Sequence, residues 1–203
     1  MEFNYANPVR KNVDGKNVYI SVISSLKDNK EIYIKISTPN KAVLGPVTDK
    51  AIALTLVNAK AVSYMVEFDN TAIESITKNS KEWFNQEKNV DEITECFKPS
   101  IVCYDSNDKG DMLINLTHIK YELLDKDFNP ITLDVIKDLQ NSRVTVVLKP
   151  SGIKITKNHI NIEWDLIQLK LVDLVCKLEE EQLNGCHIVP EEKKESEELY
   201  YSD

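Results

Sequence analysis

The chain has 203 residues, of which 42% are hydrophobic and 29% are charged, with only 5 glycines and 7 prolines. This length suits one sizeable domain with appendages, and the composition excludes a wholly disordered, collagen-like or low-complexity chain. No apolar stretch reaches the roughly 18 residues of a membrane span. The N-terminus has neither the basic nor the apolar segment of a secretion signal. We therefore expect a soluble intracellular protein.

The net charge of −8 is concentrated at the C-terminus. Residues 179–203 hold nine acidic residues against two lysines, a net charge of −7, so the rest of the chain is nearly neutral. A nearly neutral body can still present a basic groove, and an acidic end is typical of an interaction or self-masking segment. A tail that only aids solubility explains the charge equally well. We divide the chain into a β-rich domain, residues 1–178, and an acidic tail, residues 179–203, disordered from about residue 190.

The first third of the chain alternates apolar and polar residues in the manner of β-strands. The pattern predicts strands over residues 17–23 and 31–36, with the turn-like segment 27–30 between them. Two further strands are predicted over residues 51–57 and 61–68.

The apolar period then changes from that of a strand to that of a helix. Four residues recur at helical spacing: Ile73, Ile76, Trp83 and Phe84. Thr71 precedes Glu74 by three residues, as in a capping box at a helix start. We predict an amphipathic helix over residues 71–85, with Ile73, Ile76 and Trp83 facing the body, and a short helix over residues 91–97.

Strands resume at residues 101–104 and 112–114, on either side of a polar hairpin loop. The loop, residues 105–111, faintly resembles a calcium-binding loop. Lys109 occupies its fifth position and Leu116 its twelfth, where acidic ligands belong, so we expect no calcium site.

The last predicted strands cover residues 143–148, 152–156 and 160–172. Within the third, one face carries Ile160, Ile162, Trp164 and Leu166. The other face carries Ile167, Leu169 and Leu171. Such a change of phase predicts a bulge or a bend between two sheets, as a small barrel requires. A helix is predicted beyond it, up to residue 183.

The sequence lacks the motifs of common enzymes and metal sites. It has no Gly-rich phosphate loop, no Gly-x-Ser-x-Gly and no His-Glu-x-x-His. The four cysteines form no Cys-x-x-Cys pair, and the spacing of Cys96, Cys103, Cys186 and His187 matches no common zinc module. An active site assembled from distant residues is the alternative. We expect a binding protein rather than an enzyme, with no cofactor and no metal.

Two segments carry recognisable patterns. Residues 77–85, Thr-Lys-Asn-Ser-Lys-Glu-Trp-Phe-Asn, form a predicted helix that ends in Trp-Phe. Residues 147–171 follow a pattern of strand, Gly-Ile, strand, Trp, Gln and apolar-Lys-apolar. Both segments resemble small proteins of nucleocytoplasmic large DNA viruses. That family is similar to the single-stranded DNA-binding proteins of T-seven-type podophages, which combine an OB-fold barrel with an acidic C-terminal tail. The resemblance covers roughly residues 71–175, with the tail as a looser match.

The chain departs from this pattern in two places. Lys154 and Ile155 stand where an aromatic residue is expected just after Gly-Ile, so no base stacking is assigned there. The phage tail ends in an aromatic residue, whereas this chain ends in Ser202 and Asp203 after its last tyrosine.

The resemblance implies a mainly β fold, an OB-like β-barrel with an inserted amphipathic helix and a disordered acidic tail. It implies sequence-tolerant binding of single-stranded DNA, which uses aromatic platforms for bases and cations along the phosphates. Trp83, Phe84 and Trp164 fit a core better than a platform, while Tyr104 and Lys170 are further candidates. Seven residues are predicted to bind nucleic acid: Tyr19, Tyr33, Lys35, Tyr64, Lys149, Lys154 and Lys157.

The predicted role is replication or recombination of a large DNA virus, in the host cytoplasm (the viral factory), the nucleus or the virion. The predicted partners are single-stranded DNA and, through the acidic tail, replication proteins, with no membrane. A structural virion protein of the capsid or core is the alternative function, and a host-interaction protein is a third.

Overall fold

A computed structural model describes residues 3–13, 15–36, 42–104, 108–116 and 120–173. The predicted acidic tail and the predicted helix up to residue 183 lie outside the described residues. The helices are α1 (Ala59–Phe84), α2 (Val90–Cys96) and α3 (Leu133–Lys137). The strands are β1 (Phe3–Tyr5), β2 (Val9–Val13), β3 (Lys16–Ser21), β4 (Ile23–Ser25), β5 (Ile34–Ile36), β6 (Ala42–Val47), β7 (Ala51–Leu56), β8 (Phe97–Lys98), β9 (Val102–Cys103), β10 (Gly110–Asn115), β11 (Glu122–Leu124), β12 (Arg143–Ile155) and β13 (Ile160–Asp173).

Five strands close into a barrel. β6 pairs with β7, and β7 pairs with β10, both antiparallel. β10 runs parallel to β13, which pairs antiparallel with β12, and β12 returns to β6. Numbered along the chain, the barrel strands therefore lie in the order 1-2-3-5-4-1. This is the five-stranded Greek-key barrel of an OB-like fold, which confirms the predicted fold class.

The predicted change of phase in the last strand is confirmed as a bulge. Gln168 pairs with Val147 and Leu166 pairs with Leu148, so Ile167 has no partner on β12. The extra residue turns the following side chains back toward the interior, and both Leu166 and Leu169 are buried. The bulge explains why even-numbered residues before it and odd-numbered residues after it are buried in the same core.

The two predicted strands 143–148 and 152–156 form the single strand β12, with a second irregularity between Pro150 and Gly152. Gly152 has a φ of +153°. A Cβ built there would lie 2.6 Å from the carbonyl oxygen of Ser21 on β3. Glycine at this position lets β3 approach β12 and continue the sheet beyond the barrel.

The prediction of a strand over residues 61–68 is wrong, because this segment is the first part of α1. Asn58 caps the helix, and its side chain accepts a hydrogen bond from the Ala61 N–H at 3.3 Å. Residues 61–68 alternate, but their buried members continue at helical spacing through the later turns. The buried residues of α1 are Val62, Met65, Phe68, Asp69, Ala72, Ile76 and Ser80.

The second half of α1 agrees with the predicted helix 71–85, but the predicted capping box is wrong. Thr71 lies inside the helix, where its hydroxyl donates to the Glu67 carbonyl at 2.9 Å. Ile76 is fully buried, while Ile73 and Trp83 are half-buried against the core, as predicted for the inward face. The helix ends at Asn85, which adopts the left-handed conformation with a φ of 54°.

Outside the barrel, only residues 34–36 of the predicted strand 31–36 form a strand, β5, so Tyr33 precedes it. The prediction over residues 17–23 divides into β3 and the start of β4. The prediction over residues 91–97 agrees with α2, and the predicted hairpin agrees with β9 and β10. β1, β2, β6, β8, β11 and α3 were not predicted, and Phe97, placed in the predicted helix, begins β8. Among the described helices, none combines the length and apolar character that crossing a membrane requires.

Candidate nucleic-acid interface

The outer surface of β7 and β10 carries apolar side chains that face solvent. The two strands pair from Ala51 with Asn115 to Leu56 with Gly110, so alternate residues point into and out of the barrel. Leu113 lies on the outer side, with 65% of its surface exposed, opposite Ala53. Val102, also exposed, lies on the same side, and two neighbouring apolar side chains facing solvent mark this face as a candidate contact surface.

A groove of about 560 Å³ runs along this face, and we call it the barrel-face groove. One wall is the segment from β8 to β9, where Val102 is 63% exposed. The other wall is the start of β13 with the end of β12. The groove is lined by Ala53, Lys98, Pro99, Ser100, Val102, Asp111, Met112, Leu113, Asn115, Lys154, His159, Asn161, Ile162, Glu163 and Trp164.

Two lysines supply positive charge to the barrel-face groove. Within the described part of the chain, Lys98 forms no ion pair, whereas the Lys154 ammonium lies 2.6 Å from the Glu163 carboxylate. His159 lies beside both lysines. Burial, followed by the charges of Lys98 and Lys154, lowers the pKa of His159 below its ordinary value. The local field therefore favours an anion near Lys98 and His159.

A buried network holds the wall that carries Lys98. The Asp69 carboxylate on α1 accepts hydrogen bonds from the Ser100 N–H at 2.7 Å and from its hydroxyl at 2.5 Å. The Ser100 hydroxyl oxygen accepts from the Trp164 indole N–H at 2.8 Å. Burial raises the pKa of Asp69 to about 6, although the bonds from Ser100 lower it. Trp164, 2% exposed, packs on Phe68 with ring centroids 5.2 Å apart.

An aromatic ring stands at the edge of the same face. Tyr104 is 46% exposed, and its hydroxyl donates to the Asp111 carboxylate at 2.6 Å. The other Asp111 oxygen accepts from the Thr55 hydroxyl, also at 2.6 Å. Asp111 therefore accepts from two donors, and the half-exposed ring of Tyr104 is held by its hydroxyl at the edge of this face, where it is a candidate stacking platform.

The turn between β12 and β13 borders the barrel-face groove and is rigidly bonded. The Thr156 N–H donates to the His159 carbonyl at 3.0 Å, and the His159 N–H donates to the Thr156 hydroxyl at 3.1 Å. These bonds fix Lys157 and Asn158 at the exposed tip. OB-fold proteins use the face of their second and third barrel strands and the turn between the fourth and fifth to bind oligonucleotides.

A family described as "Family of unknown function (DUF5871)" matches residues 40–180. The chain belongs to this family. The matched range contains the barrel, α1 and the barrel-face groove, while β1 to β5 precede it. No curated protein matches the chain.

Several solved structures are similar to this chain at low identity. The single-stranded DNA-binding protein from bacteriophage Enc34 is 14% identical, with a TM-score of 0.47, over 86% of this chain and 94% of that one. The same protein in complex with single-stranded DNA is also 14% identical, with a TM-score of 0.46, over 82% and 94% of the two chains. The single-stranded DNA-binding protein gp2.5 of bacteriophage T7 is 11% identical, with a TM-score of 0.48, over 81% and 100%. The fold assignment for this DUF5871 member rests on its own strand order.

The seven predicted binding residues fall into three places. Lys154 lines the barrel-face groove. Tyr19 and Lys157 line a groove of about 470 Å³ between β3, the end of α1 and the end of β12, which we call the Tyr19 groove. Tyr33, Lys35 and Tyr64 line a groove of about 330 Å³ between β5 and the start of α1, which we call the Tyr33 groove.

Lys149 is connected to the Tyr33 groove by Glu31, which bonds both Lys149 and Tyr33. Glu31 accepts a hydrogen bond from the Tyr33 hydroxyl at 2.6 Å, and the Lys149 ammonium lies 2.5 Å from its other oxygen. Tyr33 and Lys35 line the same groove. The structure does not bring all seven residues into one site, and the binding role of each stays a prediction.

Sequence reasoning missed Lys98, Val102 and Leu113 as candidate contacts. Lys98 and Val102 belong to strands of two residues, which are too short for a detectable alternation. A usable signal exists for Leu113. In the run from Gly110 to Asn115 it is the one apolar residue on the polar side of the alternation.

Proposed function

We propose that this protein binds single-stranded DNA along the barrel-face groove, with little dependence on sequence. The observation that carries the proposal is the coincidence of apolar and cationic side chains on the face of the second and third barrel strands. Leu113, Val102 and the ring of Tyr104 offer contacts to bases, while Lys98 and Lys154 lie where phosphates would run. This combination suits unpaired bases, because a duplex hides the flat base surfaces that such side chains contact.

The resemblance of residues 77–85 and 147–171 to proteins of large DNA viruses supports placing this binding in viral DNA replication or recombination. In that setting, the acidic residues 179–203 would contact replication proteins. The host cytoplasm or nucleus is the proposed location.

The test is a titration of labelled oligothymidylate, followed by fluorescence anisotropy at several salt concentrations. We expect binding that weakens as salt rises, with a slope of log K against log salt of about −0.7 for each phosphate contacted. An equal-length duplex should bind more weakly. Lys98→Glu should lower the affinity about tenfold, which corresponds to about 1.4 kcal/mol.

The matched control is Lys126→Glu, because Lys126 is an exposed lysine in the loop after β11, near the opposite end of β13. Both substitutions change the net charge equally, so an effect confined to Lys98 identifies the groove. Absence of binding even at low salt would reject the proposal and favour the structural virion role.

A further inference from the structure

We infer that the DNA path continues from the barrel-face groove, around the turn between β12 and β13, into the Tyr19 groove, where a base stacks beside Trp83. This inference rests on the proposed function. It adds a second contact region outside the barrel, built by β3 and the end of α1. It also gives Tyr19 and Lys157 a shared role with Lys154.

The two grooves are continuous along the protein surface. A smaller groove of about 240 Å³ lies between them, lined by α2 and the turn between β12 and β13. It shares Phe84, Ile155, Thr156 and Lys157 with the Tyr19 groove, and His159 with the barrel-face groove. A strand leaving the face beside His159 therefore meets Lys157 next, and then the aromatic residues.

The Tyr19 groove has the chemistry of a nucleotide site. Tyr19 is 45% exposed, and its hydroxyl has no hydrogen-bond partner among the described residues. Trp83 is half-buried, and its indole N–H donates to the Asn7 side chain at 3.2 Å, which fixes the plane of the ring. Lys157 forms no ion pair within the described part of the chain. Two aromatic rings and an unpaired cation match the requirements of one base and its phosphate.

The side chains at the rim are polar but already ordered. Asn7 donates to the Glu82 carboxylate at 2.5 Å while its oxygen holds Trp83, so the Glu82 charge is engaged. Asn17, from β3, lies on the same rim and can bond the edge of any base. The groove thus offers aromatic rings and side-chain amides to a nucleotide, and the carboxylate among its lining residues, Glu82, is bonded to Asn7.

Tryptophan fluorescence tests the inference, because the chain contains only Trp83 and the buried Trp164. The probe is an oligothymidylate of about 15 nucleotides, within the length that one OB fold engages. We expect saturation to quench the wild-type emission, and W83F to lose most of that quenching while keeping its fold by circular dichroism. Full anisotropy change with no quenching, or equal quenching in W83F, would overturn the inference. No anisotropy change at all would reject the proposed function and, with it, the extension.

Oligonucleotide length gives a second, independent measurement. Tyr19→Ala should weaken binding about tenfold for an oligothymidylate of about 15 nucleotides but less than about twofold for one of about 5. The shorter strand fills the barrel-face groove alone. The matched control is Phe128→Ala, an exposed aromatic residue near the opposite end of β13, which should change neither affinity. Equal losses at both lengths, or none at either, would contradict the path.

Discussion

The two ends of α1 each border a groove that holds at least one tyrosine and one lysine, and the two grooves differ in how their acidic neighbours are held. Tyr64 lines the Tyr33 groove and Trp83 lines the Tyr19 groove. Tyr64 and Trp83 are 19 positions apart, which corresponds to about 28 Å along a helix. The aromatic and basic residues that looked alike in the sequence therefore belong to separate surfaces.

Each groove has an acidic neighbour, and the two carboxylates are held by different partners: Glu31 forms an ion pair with Lys149, whereas Glu82 accepts a hydrogen bond from Asn7. Glu31 lies beside the Tyr33 groove, where the hydrogen bonds from Lys149 and Tyr33 lower its pKa and keep it charged. In turn, this carboxylate raises the pKa of Tyr33. At the other end of α1, Lys157 forms no ion pair among the described residues. It lies on the turn before β13, and the start of β13 pairs with β8, the strand that carries Lys98. A phosphate approaching the Tyr33 groove meets Lys35 and Lys60 beside the Glu31 carboxylate, whereas one approaching the Tyr19 groove meets Lys157 and a Glu82 carboxylate bonded to Asn7.

Reversing the charge of two lysines at once tests which of the two grooves binds DNA. We expect Lys98→Glu with Lys157→Glu to lower the affinity for single-stranded DNA about a hundredfold at moderate salt, since two phosphate contacts become repulsive. Lys35→Glu with Lys60→Glu makes the same change in net charge at the Tyr33 groove. We expect that pair to have less than about a threefold effect, measured by anisotropy.

The opposite ranking would move the DNA to the Tyr33 groove and support the sequence-based choice of Tyr33 and Lys35. Equal losses in both pairs would show that binding follows net charge rather than either surface.

The sequence predicted the barrel more successfully than the site, because the two depend on different ranges of contact. The bulge at Ile167 could be predicted, since a change of alternation is visible within one strand. The strand over residues 61–68 was mispredicted because Val62, Tyr64, Val66 and Phe68 alternate. Only the continuation of the buried stripe to Ile76 favours a helix.

The candidate site depends on pairings that no local pattern reveals. Lys98 reaches the barrel face because β8 pairs with the start of β13, about 60 residues later in the chain. The engagement of Lys149 by Glu31 spans an even longer separation. A sequence shows which residues are tyrosines and lysines, but it does not show which acidic residues lie beside them in the folded protein.

The buried Asp69 carboxylate, which holds Ser100 close to Lys98, predicts that the free energy of unfolding depends on pH. The pKa of Asp69 is raised from 3.8 to about 6, so the folded state binds a proton at a pH where the unfolded state has lost it. Stability from this group therefore increases as pH falls from about 7 to about 4. We expect wild type to gain on the order of 2–3 kcal/mol over Asp69→Asn in that range, measured by urea unfolding.

Comparing wild type with Asp69→Asn isolates the titration of Asp69, because all other titrating groups, including His159, are present in both proteins. Stability curves that stay parallel from pH 7 to pH 4 would show that Asp69 titrates normally. Glu31, near the Tyr33 groove, has a lowered pKa instead, so Glu31→Gln should retain the gain in stability that protonation of Asp69 produces.

Deleting residues 190–203 removes six acidic residues and two lysines, and should tighten binding about threefold at low salt. A tethered acidic segment competes with DNA at an effective concentration of roughly millimolar. The gain should shrink in the Lys98→Glu and Lys157→Glu double variant, because the cations that the tail and the DNA share are gone. A gain of equal size in both backgrounds would mean that the tail acts elsewhere.

Glu31→Gln gives the smallest expected effect and the sharpest check on why the two grooves differ. Removing this carboxylate frees Lys149 and lets the pKa of Tyr33 fall toward its ordinary value, which ultraviolet titration can follow. Because Glu31 is exposed and its field is screened, the affinity for single-stranded DNA at the distant grooves should change less than about twofold. A tenfold gain would mean that DNA occupies the Tyr33 groove and that Glu31 opposes it. An unchanged affinity with a shifted Tyr33 pKa would show that the substitution altered this groove while the DNA stayed at the other end of α1.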